Sequence, residues 1–270
     1  MPSFTHTVAR IAVWNLGCFF PASPAKTQNQ IEGLSYLDAE LVVLVEVNPQ
    51  SYIETLAEGL NALGLDYEAT LVPQPEADLH IGFLHKSGVE VTNARVLEGS
   101  EGDYANGRRA VAADIRIGSM DAHLIGVHLK SGRDAPNQAL RDSQCRFLGD
   151  YITSFKEAPG QSLRTVLLMG DFNMIPGQDV SNFHHLGGGD VMDFLSCWDL
   201  QDRFSHILKG GPANLLDGFA ISRIPIANRP YIRGSLRLFP MHWTMDMGRE
   251  KYREEVSDHL PFTASFRIAD

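Results

Sequence analysis

The stretch that most restricts the fold is LVVLVEV, residues 41–47, which is wholly apolar until Glu46. A short run of this kind, rich in β-branched residues, reads as a buried strand. ARIAVWNL (9–16), AHLIGVHL (122–129), RTVLLMG (164–170), LDGFAIS (216–222) and PFTASFRI (261–268) also read as strands. DLHIGFLHK (78–86) and VAADIRI (111–117) alternate instead. Leu79, Ile81 and Phe83 share one face of the first; Val111, Ala113, Ile115 and Ile117 share one face of the second.

Helical patterns interleave. TQNQIEGLSYLDA (27–39) joins the first two strands and SYIETLAEGLNAL (51–63) follows the second. The clearest helix covers 136–156, where Leu140, Gln144, Phe147, Leu148, Tyr151, Ile152 and Phe155 form one mostly apolar face. Pro136 suits its first turn, and Pro159-Gly160 closes the region. Two links are too tight for a helical crossover: 78–86 to 88–97 around Ser87-Gly88, and 110–117 to 121–129 around Gly118-Ser119. Both are expected to be hairpins, which makes the sheets mixed. The expected architecture is α/β, two packed sheets with helices outside, in a single domain over residues 1–270.

The formal net charge of -10 argues against tight nucleic-acid binding by bulk charge. It leaves room for an enzyme that binds phosphates locally. The charge is uneven: Arg223, Arg229, Arg233, Arg237, Arg249, Lys251 and Arg253 face only Asp246 and Glu250 in their segment. That segment reads either as a solvated basic face or as a local phosphate-facing surface. Cys18, Cys145 and Cys197 are scattered without C-x-x-C spacing and are expected to be buried reduced thiols. No apolar stretch is long enough to span a bilayer, and the N-terminus lacks the features of a signal peptide, so a cytoplasmic protein is expected. There is no G-x-x-x-x-G-K-[ST] loop, no H-E-x-x-H and no G-x-S-x-G. Gly187-Gly188-Gly189 follows no strand and reads as a flexible loop.

Polar residues gather at strand ends. The first strand ends Trp14-Asn15 and the second at Glu46; strand 122–129 ends at His128, before Lys130-Ser131-Gly132. Strand 164–170 runs into Asp171-Phe172-Asn173, Asp217 stands at the start of LDGFAIS, and Ser257-Asp258-His259 precedes the last strand. Each alone suits a turn or a solvated end. Together they supply carboxylates for a hard cation, two imidazoles and two carboxamides. Mg²⁺ takes one or two carboxylates plus water and substrate phosphate. Phosphoryl chemistry needs charge neutralisation and a positioned water more than a protein nucleophile.

WNLG (14–17), VLVEV (43–47), GVHLKSG (126–132), GDFN (170–173), LLDGFAIS (215–222) and SDHLP (257–261), in that order, resemble the motifs of the endonuclease/exonuclease/phosphatase superfamily, the deoxyribonuclease I-like group. The resemblance implies a four-layer αββα sandwich with two mixed β-sheets packed face to face and helices outside, forming one catalytic domain. It implies Mg²⁺-dependent phosphoester hydrolysis, with Mn²⁺ as a possible substitute. By the same resemblance, Glu46 is the principal metal ligand, with Asn15 and Asp258 in the metal site and Asn15 also near the phosphate. Asp171 orients or deprotonates the attacking water, and Asn173 binds a phosphate oxygen. Asp217 holds His259 against the scissile phosphate, and His128 matches the second histidine of the deoxyribonuclease and sphingomyelinase branches. Arg108 in GRRAVAADI matches a substrate-phosphate arginine, with Arg109 as the competing choice. Three positions depart: Gly17 stands where abasic endonucleases carry Asp, Gly218 where an aromatic is common, and Arg133 where some bacterial relatives have Cys.

The expected reaction is hydrolysis of a DNA or RNA phosphodiester by in-line attack of water. The short chain, the basic segment 223–253 and Trp243, which can stack on a base, support a nucleic-acid substrate; Trp243 and Met241 packing on the sheet is the competing reading. The alternative substrate is a phospholipid or small phosphorylated molecule, for which FPMHWTMDM (239–247) is the candidate aromatic hairpin. No stable membrane association is expected. A non-catalytic binding module is a third reading, opposed by the near-complete polar set.

Overall fold

The computed structural model describes residues 7–72, 74, 79–104, 107–195 and 204–269. The first of two six-stranded sheets holds, in spatial order, β13 (Arg237–Leu238), β14 (Phe262–Ile268), β1 (Thr7–Asn15), β2 (Leu41–Val47), β4 (His80–Lys86) and β3 (Tyr67–Leu71). The second holds β5 (Val89–Val96), β6 (Val111–Ile117), β7 (Met120–His128), β8 (Thr165–Asp171), β12 (Asp217–Ser222) and β9 (Met192–Phe194). A ribbon of β10 (His206–Leu208) and β11 (Gly211–Asn214) stands apart.

Alternation along the strands builds the layers. Ile11, Val13, Val43 and Val45 meet Val111, Ala113, Leu167 and Met169 in the core between the sheets. Ala12, Trp14, Val42 and Leu44 point the other way, toward α1 (Pro24–Leu37) and α2 (Tyr52–Ala62), with Met241 of α5 (Met241–Thr244) and Tyr252 of α6 (Arg249–Glu255) completing that layer. Ala112, Ile125, Val166 and Leu168 pack against α3 (Ala135–Glu157) and α4 (Val180–Leu186). Apolar cover on both faces explains why β2 and β8 carry no charge until their last residues. The result is the expected αββα sandwich.

Several local expectations are corrected. The Ser87-Gly88 link is not a hairpin: β4 belongs to the first sheet and β5 to the second. The end of β4 is already satisfied within its own sheet, Lys86 N–H donating to the Glu40 carbonyl and Ser87 N–H to the Asp66 carbonyl. That leaves β5 free to pair with β6. The Gly118-Ser119 link is the expected hairpin between β6 and β7. Gly187-Gly188-Gly189 closes the end of α4, their N–H groups donating to the Phe183, His185 and His184 carbonyls. Gly187 caps α4, and a Cβ on Gly188 would lie 2.7 Å from Thr153 Oγ1 of α3. The first helix begins at Pro24, earlier than its apolar pattern, because Ser23 caps it by accepting from Lys26 N–H. Cys18 and Cys145 are buried free thiols, and Cys197 and Asp78 lie outside the described residues. Among the described residues, no helix is long and apolar enough to cross a membrane.

Direction matters most for the site. β1 and β2 are parallel, as are β7 and β8, joined by α3. β14 is antiparallel to β1, and β12 to β8. The last residues of four strands and the first residues of two therefore gather at one end of the sandwich.

Candidate active site

At that end, register and hydrogen bonds bring the polar residues together. Asp171 stands level with His128 on one side and Asp217 on the other. Asn15 crosses between the sheets, donating from Nδ2 to Asp171 Oδ2 at 3.2 Å. Asp171 Oδ1 accepts from Asn173 N–H at 2.9 Å, and Asn173 Nδ2 donates to the Leu129 carbonyl at 3.0 Å. His259 donates from Nδ1 to Asp217 Oδ2 at 2.7 Å, and its Nε2 lies 3.9 Å from Asp171 Oδ2. His128 Nε2 is 3.6 Å from Glu46 and 3.7 Å from Asp171.

Glu46 reaches this cluster because β2 bulges there. Val43 and Val45 face the inter-sheet core, yet Val47 joins Leu44 on the helix side. The register slips between Val45 and Val47, and Glu46 takes a φ of 58°. Asn173 is also left-handed, at φ 51°. Such conformations cost non-glycine residues energy and concentrate where function requires them. Gly170 serves the same end: at φ 151° it lets β8 approach so closely that a Cβ would fall 1.9 Å from the Val127 carbonyl oxygen.

Of the two arginines, Arg108 is the one that reaches this cluster. Its Nη1 lies against both ring nitrogens of His128, 3.1 Å from Nδ1. Arg109 turns away to ion pairs with Glu98 and Glu101 at 3.1 and 3.2 Å. At Gly17 an added Cβ would meet Asp258 Oδ1 at 2.7 Å, so the Asp258 carboxylate lies where a side chain there would begin.

Burial and neighbouring charges set the protonation states. Burial and the Asp217 charge raise the Asp171 carboxyl to about 7. Burial pulls His259 down, but Asp217, Asp171 and Asp258 outweigh it and raise the imidazole to about 10. Burial, Arg108 and His259 hold His128 well below its usual range, so it is neutral. Burial raises Glu46, opposed by His259 and Arg108. Burial also pushes Asp258 up, but His206 and His259 bring it down to about 2.

Four carboxylates thus face two fixed positive charges, His259 and Arg108. This surplus of negative oxygen fits a divalent cation. Glu46 and Asp258 are near enough to feel each other's charge, with Asn15 beside Glu46. Two tighter groups also have metal-ligand spacing, Asp171–Asp217–His259 and His206–Asp258–His259, and Glu46 is in neither.

Several supporting residues escaped the sequence reading. Ser205 Oγ donates to Asp217 Oδ2 at 2.6 Å, and the His206 ring lies tilted against that of His259, with ring centres 4.8 Å apart. On α3, Arg141 is fully buried, although the apolar pattern leaves it off the buried face. It donates to the Lys130 and Gly132 carbonyls and pairs with Asp179 at 3.0 Å. Gln144 holds Lys130 N–H and reaches the Arg108 carbonyl. These two side chains tie together the loops that carry Arg108, His128 and Asn173.

The basic segment is not one phosphate-facing surface. β12 runs away from the site, so Arg223 and Arg229 lie at the opposite end, paired with Asp190 and Asp193. Met241 is buried, whereas Trp243 is 56% exposed on a short helix rather than a hairpin. A more prominent aromatic pair was missed: Phe19 and Phe20, 63% and 76% exposed, on the loop that leaves β1 beside Gly17.

No family model and no curated protein sequence matches the chain. Solved structures do. Human Nocturnin's catalytic domain with bound sulfate is 15% identical with a TM-score of 0.67, covering 96% of this chain and 94% of its own. D. rerio TDP2 complexed with single-strand DNA product is 17% identical at TM-score 0.66, covering 96% and 99%. An endonuclease/exonuclease/phosphatase family protein from Bacteroides thetaiotaomicron is 13% identical at TM-score 0.69, covering 98% and 97%. The chain has the deoxyribonuclease I-like fold of these proteins.

Proposed function

We propose that the chain is a divalent-metal-dependent phosphodiesterase whose substrate is nucleic acid. The observation that carries this reading is the line from Asp217 through a protonated His259 to Asp171, flanked by the carboxylates of Glu46 and Asp258.

His259 spends its Nδ1–H on Asp217, so Nε2–H is the proton aimed into the site. It donates to a phosphate oxygen or the leaving oxygen. Asp171, once ionised, accepts from a water and orients it for in-line attack. Asn173 gives one amide hydrogen to Leu129 and keeps the other for a phosphate oxygen. Arg108, against neutral His128, supplies fixed positive charge near the phosphate. Glu46, Asp258 and Asn15 would hold the cation, which neutralises charge that builds on the phosphate oxygens.

The sign of each titration gives a pH profile. Asp171 acts when ionised, so kcat/KM rises with pH through about 7; His259 acts when protonated, so kcat/KM falls again through about 10. Rates on a phosphodiester from about pH 5 to about pH 11 check this, and a flat line through neutrality contradicts it.

Nucleic acid is the favoured substrate because the TDP2 relative in fold carries a single-strand DNA product. One observation favours a phospholipid or small phosphodiester instead: the exposed Phe19–Phe20 pair beside the site. A panel of plasmid, single-stranded DNA, RNA, sphingomyelin and an inositol phosphate, each with Mg²⁺ or EDTA, separates the readings. Cleavage of nucleic acid in Mg²⁺ alone is expected. Cleavage of the lipid and of no nucleic acid overturns the substrate assignment.

A further inference from the structure

The end of the sandwich opposite the catalytic cluster holds a polar cavity of about 780 Å³. The strand directions that send Asn15, His128 and Asp171 to one end send the starts of β7 and β8 and the end of β14 to the other. Both sheets therefore wall the cavity. Its arginines come from three segments: Arg164 just before β8, Arg229 just after the short helical turn Ile226–Asn228, and Arg267 on β14.

Each arginine keeps donors unspent. Arg164 uses Nε on Asp121 at 2.8 Å and Nη2 on Asp114 at 3.0 Å. Arg229 uses Nε on the Ile224 carbonyl at 2.8 Å and Nη2 on Asp193 at 3.1 Å. Nη1 of both has no acceptor among the described residues. Arg267 donates its backbone N–H to the Pro230 carbonyl at 2.7 Å, while its exposed guanidinium has no partner among the described residues. Ser119 Oγ accepts from Ala269 N–H at 2.8 Å and keeps its own proton to donate. Asp121 adds little free negative charge to the wall, because it lies between Arg164 and Arg116, 2.8 and 3.7 Å away.

A donor-rich wall with an unpaired guanidinium, on a chain of net charge -10, calls for an anion with several acceptor oxygens. One guanidinium fork satisfies a planar carboxylate. Three arginines from different segments instead match a tetrahedral phosphate, whose oxygens point in several directions. The volume is that of a small-molecule site and leaves room beyond the phosphate itself. Asn228, exposed on the rim with no side-chain partner among the described residues, is placed to meet hydroxyl groups there.

We propose that this cavity is a second ligand site, at the far end from the catalytic cluster, for a small-molecule phosphate monoester. The assignment does not depend on the phosphodiesterase reading. Glycerol phosphate and adenosine monophosphate, titrated separately into metal-free, isotope-labelled protein, test it by the amide resonances of Ser119, Arg267 and Ala269. Succinate at matched ionic strength is the carboxylate control. Saturable shifts with one or both phosphate esters are expected, and the tighter ester tells a polyol from a nucleotide. Arg267→Glu and Ala227→Glu, at exposed positions on different walls, should each weaken binding by about tenfold or more. No saturable shift at these amides, shifts only around His259, succinate binding as tightly as the esters, or an affinity that neither variant changes overturns the assignment.

Discussion

Asp171→Asn is expected to lower kcat/KM on a phosphodiester by about ten-thousandfold in a folded protein. Asp171 is buried, and both its oxygens are in use, Oδ1 accepting from Asn173 N–H and Oδ2 from Asn15 Nδ2. A carboxamide has one acceptor oxygen, so it keeps one of those bonds and turns its NH₂ toward the other donor. More important, the negative charge that orients water is gone. The same charge helps to raise His259, so its loss should also move the alkaline limb of the pH profile below about 10. Circular dichroism and thermal unfolding establish that the variant folds; a folded Asp171→Asn protein within about tenfold of wild type removes Asp171 from the chemistry.

The second large effect is expected at Glu46. Glu46→Gln should cost about a thousandfold in kcat/KM and raise the Mg²⁺ concentration needed for half-maximal rate. The side chain is nearly isosteric, and the bulge that presents it is set by backbone register. What changes is charge. Burial and Asp258 already oppose ionisation of Glu46, and a bound cation is what would favour it. Removing one of the site's carboxylates therefore weakens its hold on a cation more than it disturbs the fold. Glu40 is a useful control, since it is also an acid at the edge of β2 but pairs with Lys86.

The fold was legible wherever one face or both faces of a strand had to be apolar. Runs such as 41–47 and 164–171 end abruptly in charge because the core ends there, and the parallel and antiparallel pairings bring those ends together. Glu46, His128, Asp171, Asp217 and His259 were informative only as a set, and the structure brings that set to one end of the sandwich. Where the connection itself decides, the pattern was silent. Ser87-Gly88 has the length of a hairpin turn but carries the chain from one sheet to the other, and only the partners of Lys86 and Ser87 distinguish the two. Arg141 was hidden for a different reason, and Gln144, although placed on the buried face, gave no sign of what it would hold. A polar residue on a helix reads as solvated unless it has backbone carbonyls and amides to satisfy, and those come from loops distant in sequence. His206 carried no strand-end signal comparable to that of the other site residues, and its place follows from the ribbon that brings it beside His259. The basic segment misled because charges near each other in sequence were divided between opposite ends of β12 and β14.

The central claim is that this cluster of acids hydrolyses phosphodiesters with a divalent cation. The direct measurement is the rate of cleavage of a nucleic-acid phosphodiester as Mg²⁺ is titrated into metal-stripped wild-type and Glu46→Gln protein. Saturable activation of the wild type, abolished by EDTA and displaced to much higher Mg²⁺ with a far lower plateau in the variant, is the predicted result. Equal rates with Mg²⁺ and with EDTA, or superimposable titrations of the two proteins, would contradict it.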